Sequence, residues 1–188
     1  MKGGKEHSKG IGRLSIIGVG LIGGSLAKAL KKADFVGEVI GFGRSEANLR
    51  LALDQGVVDR WTLDLNEAVA GADVIMLATP VAAADQLLPR ISASLRDNTI
   101  VTDAGSVKGS VIDAAVSAFG GRISHFVPGH PIAGGENSGV RASCVDLFHQ
   151  QKVILTPLPS TGTWALECVR EMWETTGASV SEMDPDSH

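Results

Sequence analysis

Leu14-Ser15-Ile16-Ile17-Gly18-Val19-Gly20-Leu21-Ile22-Gly23-Gly24-Ser25 is the stretch that decides how this 188-residue chain folds. A short apolar run ends in Gly18-x-Gly20-x-x-Gly23 and passes into Leu26-Ala27-Lys28-Ala29-Leu30-Lys31-Lys32, which reads as strand, tight turn and helix. At this spacing Gly18 makes the turn, Gly20 opens the backbone to a pyrophosphate, and Gly23 lets the helix sit close to the strand. The free amides of Leu21, Ile22 and Gly23 at the start of the helix would then face the phosphates. A glycine triplet alone is a weak signal. Here a second strand, Glu38 to Gly43, follows at the expected distance, and dinucleotide binding becomes the reading. The bland alternative is a glycine-rich turn that binds nothing.

Outward from that unit, apolar strands alternate with helical patterns. Ser45 caps a helix that Gly56 stops, and Leu65 to Ala70 reads as a short helix. Ala72 to Ala78 is a continuous apolar run, as expected of a central parallel strand covered on both faces. It ends at Thr79-Pro80. A helix over 81–95, a strand over 99–103, a helix over 107–119 and a strand over 124–127 follow. The pattern loosens between Pro128 and Gln151, then resumes with a strand at 152–156, a helix at 163–175 and a strand at 178–183. The alternation predicts an α/β fold: a single, Rossmann-type domain with a doubly wound, mostly parallel sheet.

Composition narrows the function. An apolar content of 44% is enough for a full core, and a net charge of −4 argues against nucleic acid as a partner. Two cysteines, Cys144 and Cys168, are too few for a disulfide framework or a zinc module, so no metal is expected and a reducing cytoplasm is the default. Residues 1–13 lack an apolar h-region and read as a mobile tail rather than a secretory signal. No apolar run approaches membrane-spanning length. The chain contains no tyrosine, which excludes dehydrogenases built on a Tyr-x-x-x-Lys pair. A hydride-transferring enzyme of this composition must take its acid or base from a histidine, a lysine or a carboxylate.

The cofactor can be read further. A NAD site carries an acidic residue about 20 positions beyond the glycines, and that count lands on Gly43-Arg44-Ser45, which has no carboxylate. Gly43 leaves room for a 2′-phosphate, Arg44 can neutralise it, and Ser45 can donate to it, so NADP is favoured over NAD. A solvated loop charge is the alternative for Arg44. Thr79-Pro80, at the end of a central strand, lines the nicotinamide side by position. Asp73, at the edge of the same strand, reads as a turn cap.

Two further loops follow strands. In Asp103-Ala104-Gly105-Ser106-Val107-Lys108, Ser106 reads equally as helix N-cap or ligand contact. Lys108 lies in a first helical turn, where the dipole disfavours a cation, which suggests an anionic ligand as readily as a solvated side chain. In Pro128-Gly129-His130-Pro131, a histidine fixed between glycine and proline is a poor core residue and a good proton acceptor. His7, His125 and His149 are less suited by position.

Taken with these loops, the chain resembles the prephenate/arogenate (cyclohexadienyl) dehydrogenases of tyrosine biosynthesis. The matching pieces are Ile17 to Ser25, Thr102 to Lys108, Gly129-His130-Pro131-Ile132-Ala133-Gly134 and Val153-Ile154-Leu155-Thr156-Pro157, in family order. The resemblance implies oxidative decarboxylation of prephenate or arogenate with hydride transfer to NAD(P)+. It makes His130 the acceptor of the ring-hydroxyl proton and Ser106 its partner beside substrate and cofactor. Glu136 becomes an acidic residue at the site mouth, and His188 a histidine that opens the family's helical second domain. Family members dimerise through that domain and take basic residues for the substrate from it. The resemblance thus implies a cofactor domain over 14–183, with 184–188 starting a helical domain that is absent. A different NADP-linked dehydrogenase, of the 3-hydroxyacid or imine reductase type, and a non-catalytic nucleotide-binding fragment remain the alternatives.

Overall fold

A computed structural model describes residues 10–135, 138–184 and 187–188. Its first strand, β1 (Ile11–Ile17), ends at the glycine turn, and α1 (Leu21–Lys32) returns along the sheet to β2 (Val36–Phe42). Then come α2 (Glu46–Asp54), β3 (Arg60–Thr62), α3 (Leu65–Val69), β4 (Val74–Leu77), α4 (Ala84–Ala93), β5 (Ile100–Asp103), α5 (Lys108–Phe119) and β6 (Phe126–Val127). β7 (Gly129–Ile132), β8 (Lys152–Leu155), α6 (Thr163–Thr175) and β9 (Ser179–Glu182) complete the chain.

The six strands of the main sheet are all parallel and lie in the order β3-β2-β1-β4-β5-β6. This is the doubly wound order in which the chain reverses direction between β1 and β4, and the crevice beyond the carboxyl ends of those two strands is where such sheets take their ligands. The apolar run of β4 explains itself by alternation. Val74 and Met76 enter one core cluster, with Leu26 and Leu30 of α1 and Trp173 of α6. Ile75 and Leu77 enter the other, with Leu88 of α4 and Val111 of α5. Both faces are covered, so no polar position interrupts the strand. A second sheet, β7-β8-β9, shares the first cluster through Val153 and Leu155.

Several boundaries differ from expectation. Ile11, Gly12 and Arg13, expected in the tail, belong to β1. Ile11 is buried, and its N–H donates to the Phe35 carbonyl at 2.8 Å. The rest of that tail, residues 1–9, lies outside the described residues. The strand expected over 124–127 shrinks to Phe126–Val127, because a 3₁₀ segment (Gly120–His125) places the buried His125 ring 2.8 Å from the Thr99 carbonyl. The loose segment after Pro128 contains β7, antiparallel to β8, with His130 opposite Ile154. Its Pro131 is tolerated because β7 is an edge strand and needs no donor on its outer side. Ser45 does cap α2, accepting from the Asn48 N–H at 3.2 Å. Asp73, expected to cap a turn, instead accepts from the Arg13 N–H of β1 at 2.8 Å, a contact across sixty positions that ties the start of β4 to β1. Among the described residues, no helix is long and apolar enough to cross a membrane.

Candidate active site

The glycine turn is built by backbone conformation. Gly18 has φ +102°, a region that side chains rarely adopt, and a Cβ there would lie 2.7 Å from the Ala78 carbonyl. A Cβ on Gly23 would lie 2.5 Å from the Gly18 carbonyl oxygen, so only glycine lets α1 approach β1 this closely. Gly20 differs from both: a Cβ there would meet nothing within 4 Å. Its backbone faces open space at the start of α1, where no side chain caps the helix and no acidic residue occupies the first turn. The first amide of α1 to be satisfied within the helix is that of Gly24, donating to Gly20 at 2.9 Å, so those of Leu21, Ile22 and Gly23 point outward. This cradle fits the pyrophosphate of a dinucleotide.

From the cradle a cleft of about 680 Å³ runs along the carboxyl ends of β1, β2 and β4. Gly18 and Gly20 form its floor, Gly43, Arg44 and Ser45 one end, and Thr79 and Pro80 the other. Ser45 accepts from the Asn48 amide, so its hydroxyl proton is left to donate into the cleft. Gly43 leaves a Cβ-sized space there, its nearest neighbour being Leu49 at 3.6 Å.

Three polar residues that sequence reasoning passed over also line this cleft. Asn48 donates to the Val19 carbonyl at 2.7 Å and accepts from the Val140 amide at 3.2 Å, pinning the glycine loop to the far wall. Gln86 and Arg90 reach the cleft from α4. The spacing of Ala83, Gln86, Leu87 and Arg90 is that of one helical face, and this was the available signal.

A second cavity, of about 400 Å³, adjoins the first and shares Ala78, Thr79 and Pro80 with it. Ser106, His130, Ile22 and Ala133 line its other walls. The histidine read from sequence therefore sits beside the end of the cleft assigned to the nicotinamide. Its Nδ1 lies 2.9 Å from Nε2 of His188, which brings together two candidates 58 positions apart. Burial, followed by the neighbouring His188 and the Lys108 ammonium, lowers the His130 pKa from the ordinary histidine value, and Asp103 pulls the other way. Ser106 shares the cavity but bonds neither ring. It is not the helix cap either, since Val107 occupies that position.

Lys108 departs from both readings offered for it. It is 3% exposed, and its ammonium bonds the Asp103 carboxylate and, at 2.6 Å, the Gly129 carbonyl. It is neither solvated nor among the residues lining the cavity. Glu136 lies outside the described residues.

Comparison with known proteins agrees with the dinucleotide-binding fold. The family model for the nucleotide-binding domain of prephenate dehydrogenase matches residues 26–182. A prephenate dehydrogenase of Lactococcus lactis is 37% identical over 145 residues, 77% of this chain and 40% of that protein. A cyclohexadienyl dehydrogenase of Zymomonas mobilis is 35% identical over 175 residues, covering 93% of this chain and 59% of its own length. Among solved structures, the prephenate dehydrogenase of A. aeolicus in complex with hydroxyphenyl propionate and NAD+ superposes with a TM-score of 0.88 at 35% identity. That match covers 95% of this chain and 62% of the other. The chain thus spans from two fifths to just over three fifths of the length of these relatives.

Proposed function

The chain belongs to the prephenate dehydrogenase family, whose nucleotide-binding domain it carries, and from that premise we propose that it holds the cofactor and the proton acceptor for oxidative decarboxylation of prephenate or arogenate. The observation that carries the reading is the shared wall: Thr79 and Pro80 close the cofactor cleft and open the His130 cavity. Bound NAD(P)+ would supply the hydride acceptor. Gly18, Gly20, Leu21, Ile22 and Gly23 would hold its pyrophosphate, and Gly43, Arg44 and Ser45 its adenosine end.

His130 takes the proton of the ring hydroxyl as the same carbon gives up hydride. With Nδ1 turned to His188, Nε2 is the accepting atom. A neutral imidazole is required, and the lowered pKa supports that form near neutral pH. Ser106, in the same cavity, orients the hydroxyl. Loss of the ring carboxylate as carbon dioxide then aromatises the ring, and the drive toward aromaticity leaves the protein little to add at that step. The family match favours this reaction over those of 3-hydroxyacid dehydrogenases or imine reductases.

We take NADP to be preferred to NAD. A 2′-phosphate would meet Arg44 and the Ser45 hydroxyl, and no carboxylate at Gly43 opposes it. A cytoplasmic setting, the default given by the two cysteines, and self-association through a helical domain, implied by the resemblance, belong to the same proposal. Light scattering over a range of concentrations tests the association.

Calorimetric titration with NADP+ and NAD+ tests the cleft, and formation of reduced nicotinamide with prephenate or arogenate tests the reaction. His130→Asn should abolish turnover while cofactor affinity stays within about twofold, since the histidine lies outside the cofactor cleft. Substantial turnover by that variant overturns the role of His130. Consumption of neither acid, by a protein that also carries a helical domain of the family type, overturns the reaction.

A further inference from the structure

One buried ion pair beside the site is not used by the chemistry above. Asp103 ends β5 and Lys108 begins α5; each is 3% exposed, and they bond one another across the turn that carries Ser106. Burying two charges costs several kcal/mol of hydration each, and such a pair is often no more stabilising than apolar residues of equal size. Its remaining bonds show what it holds. Asp103 Oδ1 accepts from the Gly129 N–H at 3.1 Å, and Lys108 Nζ donates to the Gly129 carbonyl at 2.6 Å. The other carboxylate oxygen, Oδ2, accepts from the Gly105 N–H at 2.8 Å. Both polar groups of one residue are gripped, and that residue immediately precedes His130. The Gly105 amide held by the same carboxylate immediately precedes Ser106. Gly129 is also pressed against β5, where a Cβ would lie 3.0 Å from the Asp103 carbonyl.

We propose that Asp103 and Lys108 act as positioning residues, clamping Gly129 on both its amide and its carbonyl and Gly105 on its amide, so that His130 and Ser106 face one another across the substrate cavity. The clamp works through backbone, because Lys108 does not line that cavity. A displacement of about 1 Å at a reacting group costs on the order of a hundredfold in rate, so a clamp at this point has catalytic leverage. The proposal rests on the reading of His130 as proton acceptor. Among the described residues, the charged and titratable groups acting on His130 are His188, Lys108 and Asp103, so the pair also sets part of its electrostatic surroundings.

The test compares Lys108→Arg, Lys108→Met and the neutral double variant Asp103→Asn with Lys108→Met. His130 titration by NMR and cofactor affinity are read in this chain, and kcat and KM in a protein that also carries a helical domain of the family type. The cofactor cradle lies on β1 and α1, so cofactor affinity should stay within about twofold in all three. Lys108→Met should raise the His130 pKa and lower kcat by roughly tenfold to a hundredfold, with Lys108→Arg restoring most of both. If Lys108→Met fails to fold, the double variant decides, since it removes both charges and still loses the grip on the Gly129 carbonyl. An unaltered His130 titration and an unaltered kcat in a folded variant, with only thermal stability reduced, would overturn the proposal. If the unaltered protein consumes neither cyclohexadienyl acid, the functional reading fails instead, while the Gly105 and Gly129 amide resonances in the same spectra still decide whether the clamp exists: unmoved in the double variant, they overturn it.

Discussion

The three motif glycines should separate by what each substitution damages. In Gly23→Ala the new methyl carbon would sit 2.5 Å from the Gly18 carbonyl oxygen, 2.6 Å from Ile16 Cγ2 and 3.2 Å from Ala78 Cβ. Overpacking of this kind costs about 1–3 kcal/mol. The upper end applies, because the nearest neighbour is backbone and cannot rotate away. Against this stands a helix-propensity gain of about 1 kcal/mol for replacing glycine within α1. The net is a loss of about 1–2 kcal/mol, or a fall in Tm of about 2–8 °C for a domain of this size. Gly109→Ala is the control: the same chemical change within α5, where a Cβ meets nothing within 4 Å. It should be neutral or stabilising by up to about 1 kcal/mol. Gly20→Ala meets no atom either, and as a helix N-cap it should cost at most about 1 kcal/mol. Its methyl group would enter the space open to the pyrophosphate, so NADP+ affinity should fall at least about tenfold. Urea unfolding followed by tryptophan fluorescence reads the stabilities, since Trp173 is fully buried edge-on to Phe148 at 5.1 Å. Calorimetry reads the affinities. A Gly23→Ala protein as stable as the Gly109→Ala protein would refute the close-approach argument, and full NADP+ affinity in Gly20→Ala would refute the cradle.

Cofactor choice should be reversible at the end of β2. Arg44→Ala removes a charge-assisted contact worth about 1.5–3 kcal/mol, so NADP+ affinity should drop roughly tenfold to a hundredfold with NAD+ little changed. Gly43→Asp fits, since its Cβ meets only Leu49 at ordinary contact distance, and it should favour NAD+ by repelling the 2′-phosphate. Parallel titrations check both, and equal losses for the two cofactors would remove Arg44 from the 2′-phosphate site. The acid limb of kcat/KM should fall below the ordinary histidine value of 6.5, because His130 must be neutral and its pKa is lowered in the folded protein. The stability sign follows from the same shift. The unfolded chain binds this proton more readily, so stability is full above about pH 6.5 and falls as pH drops from there toward the lowered folded value. His130→Asn should flatten that part of a denaturation series; an unchanged slope would assign it to other groups.

What could be read from sequence divides along a physical line. The glycine turn, the β4 run and the Ser45 cap were legible because their causes are local: a positive φ, a two-residue alternation, one side chain reaching three positions on. His130 was legible as an anomaly, since neither its glycine and proline neighbours nor its polarity suit a core. Its placement in a strand was not, because β7 exists only through pairing with β8, and His130 meets Ile154 twenty-four positions later. The 58-position contact with His188 is of the same kind.

Lys108 is the most instructive case. A cation in the first turn of a helix is unfavourable by itself, so Lys108 calls for a compensating negative group or for solvent. The compensation proved to be internal: Asp103, five positions back across the turn, and the carbonyl of Gly129 from a strand of the second sheet. Local chemistry could say that this residue needed a partner. Only the crossing of β5, α5 and β7 at the edge of the cleft decided that the partners were the protein's own carboxylate and backbone carbonyl rather than a bound anion. The same crossing puts His130 in the cavity, so the feature that defeated the local reading of Lys108 is the one that assembles the site.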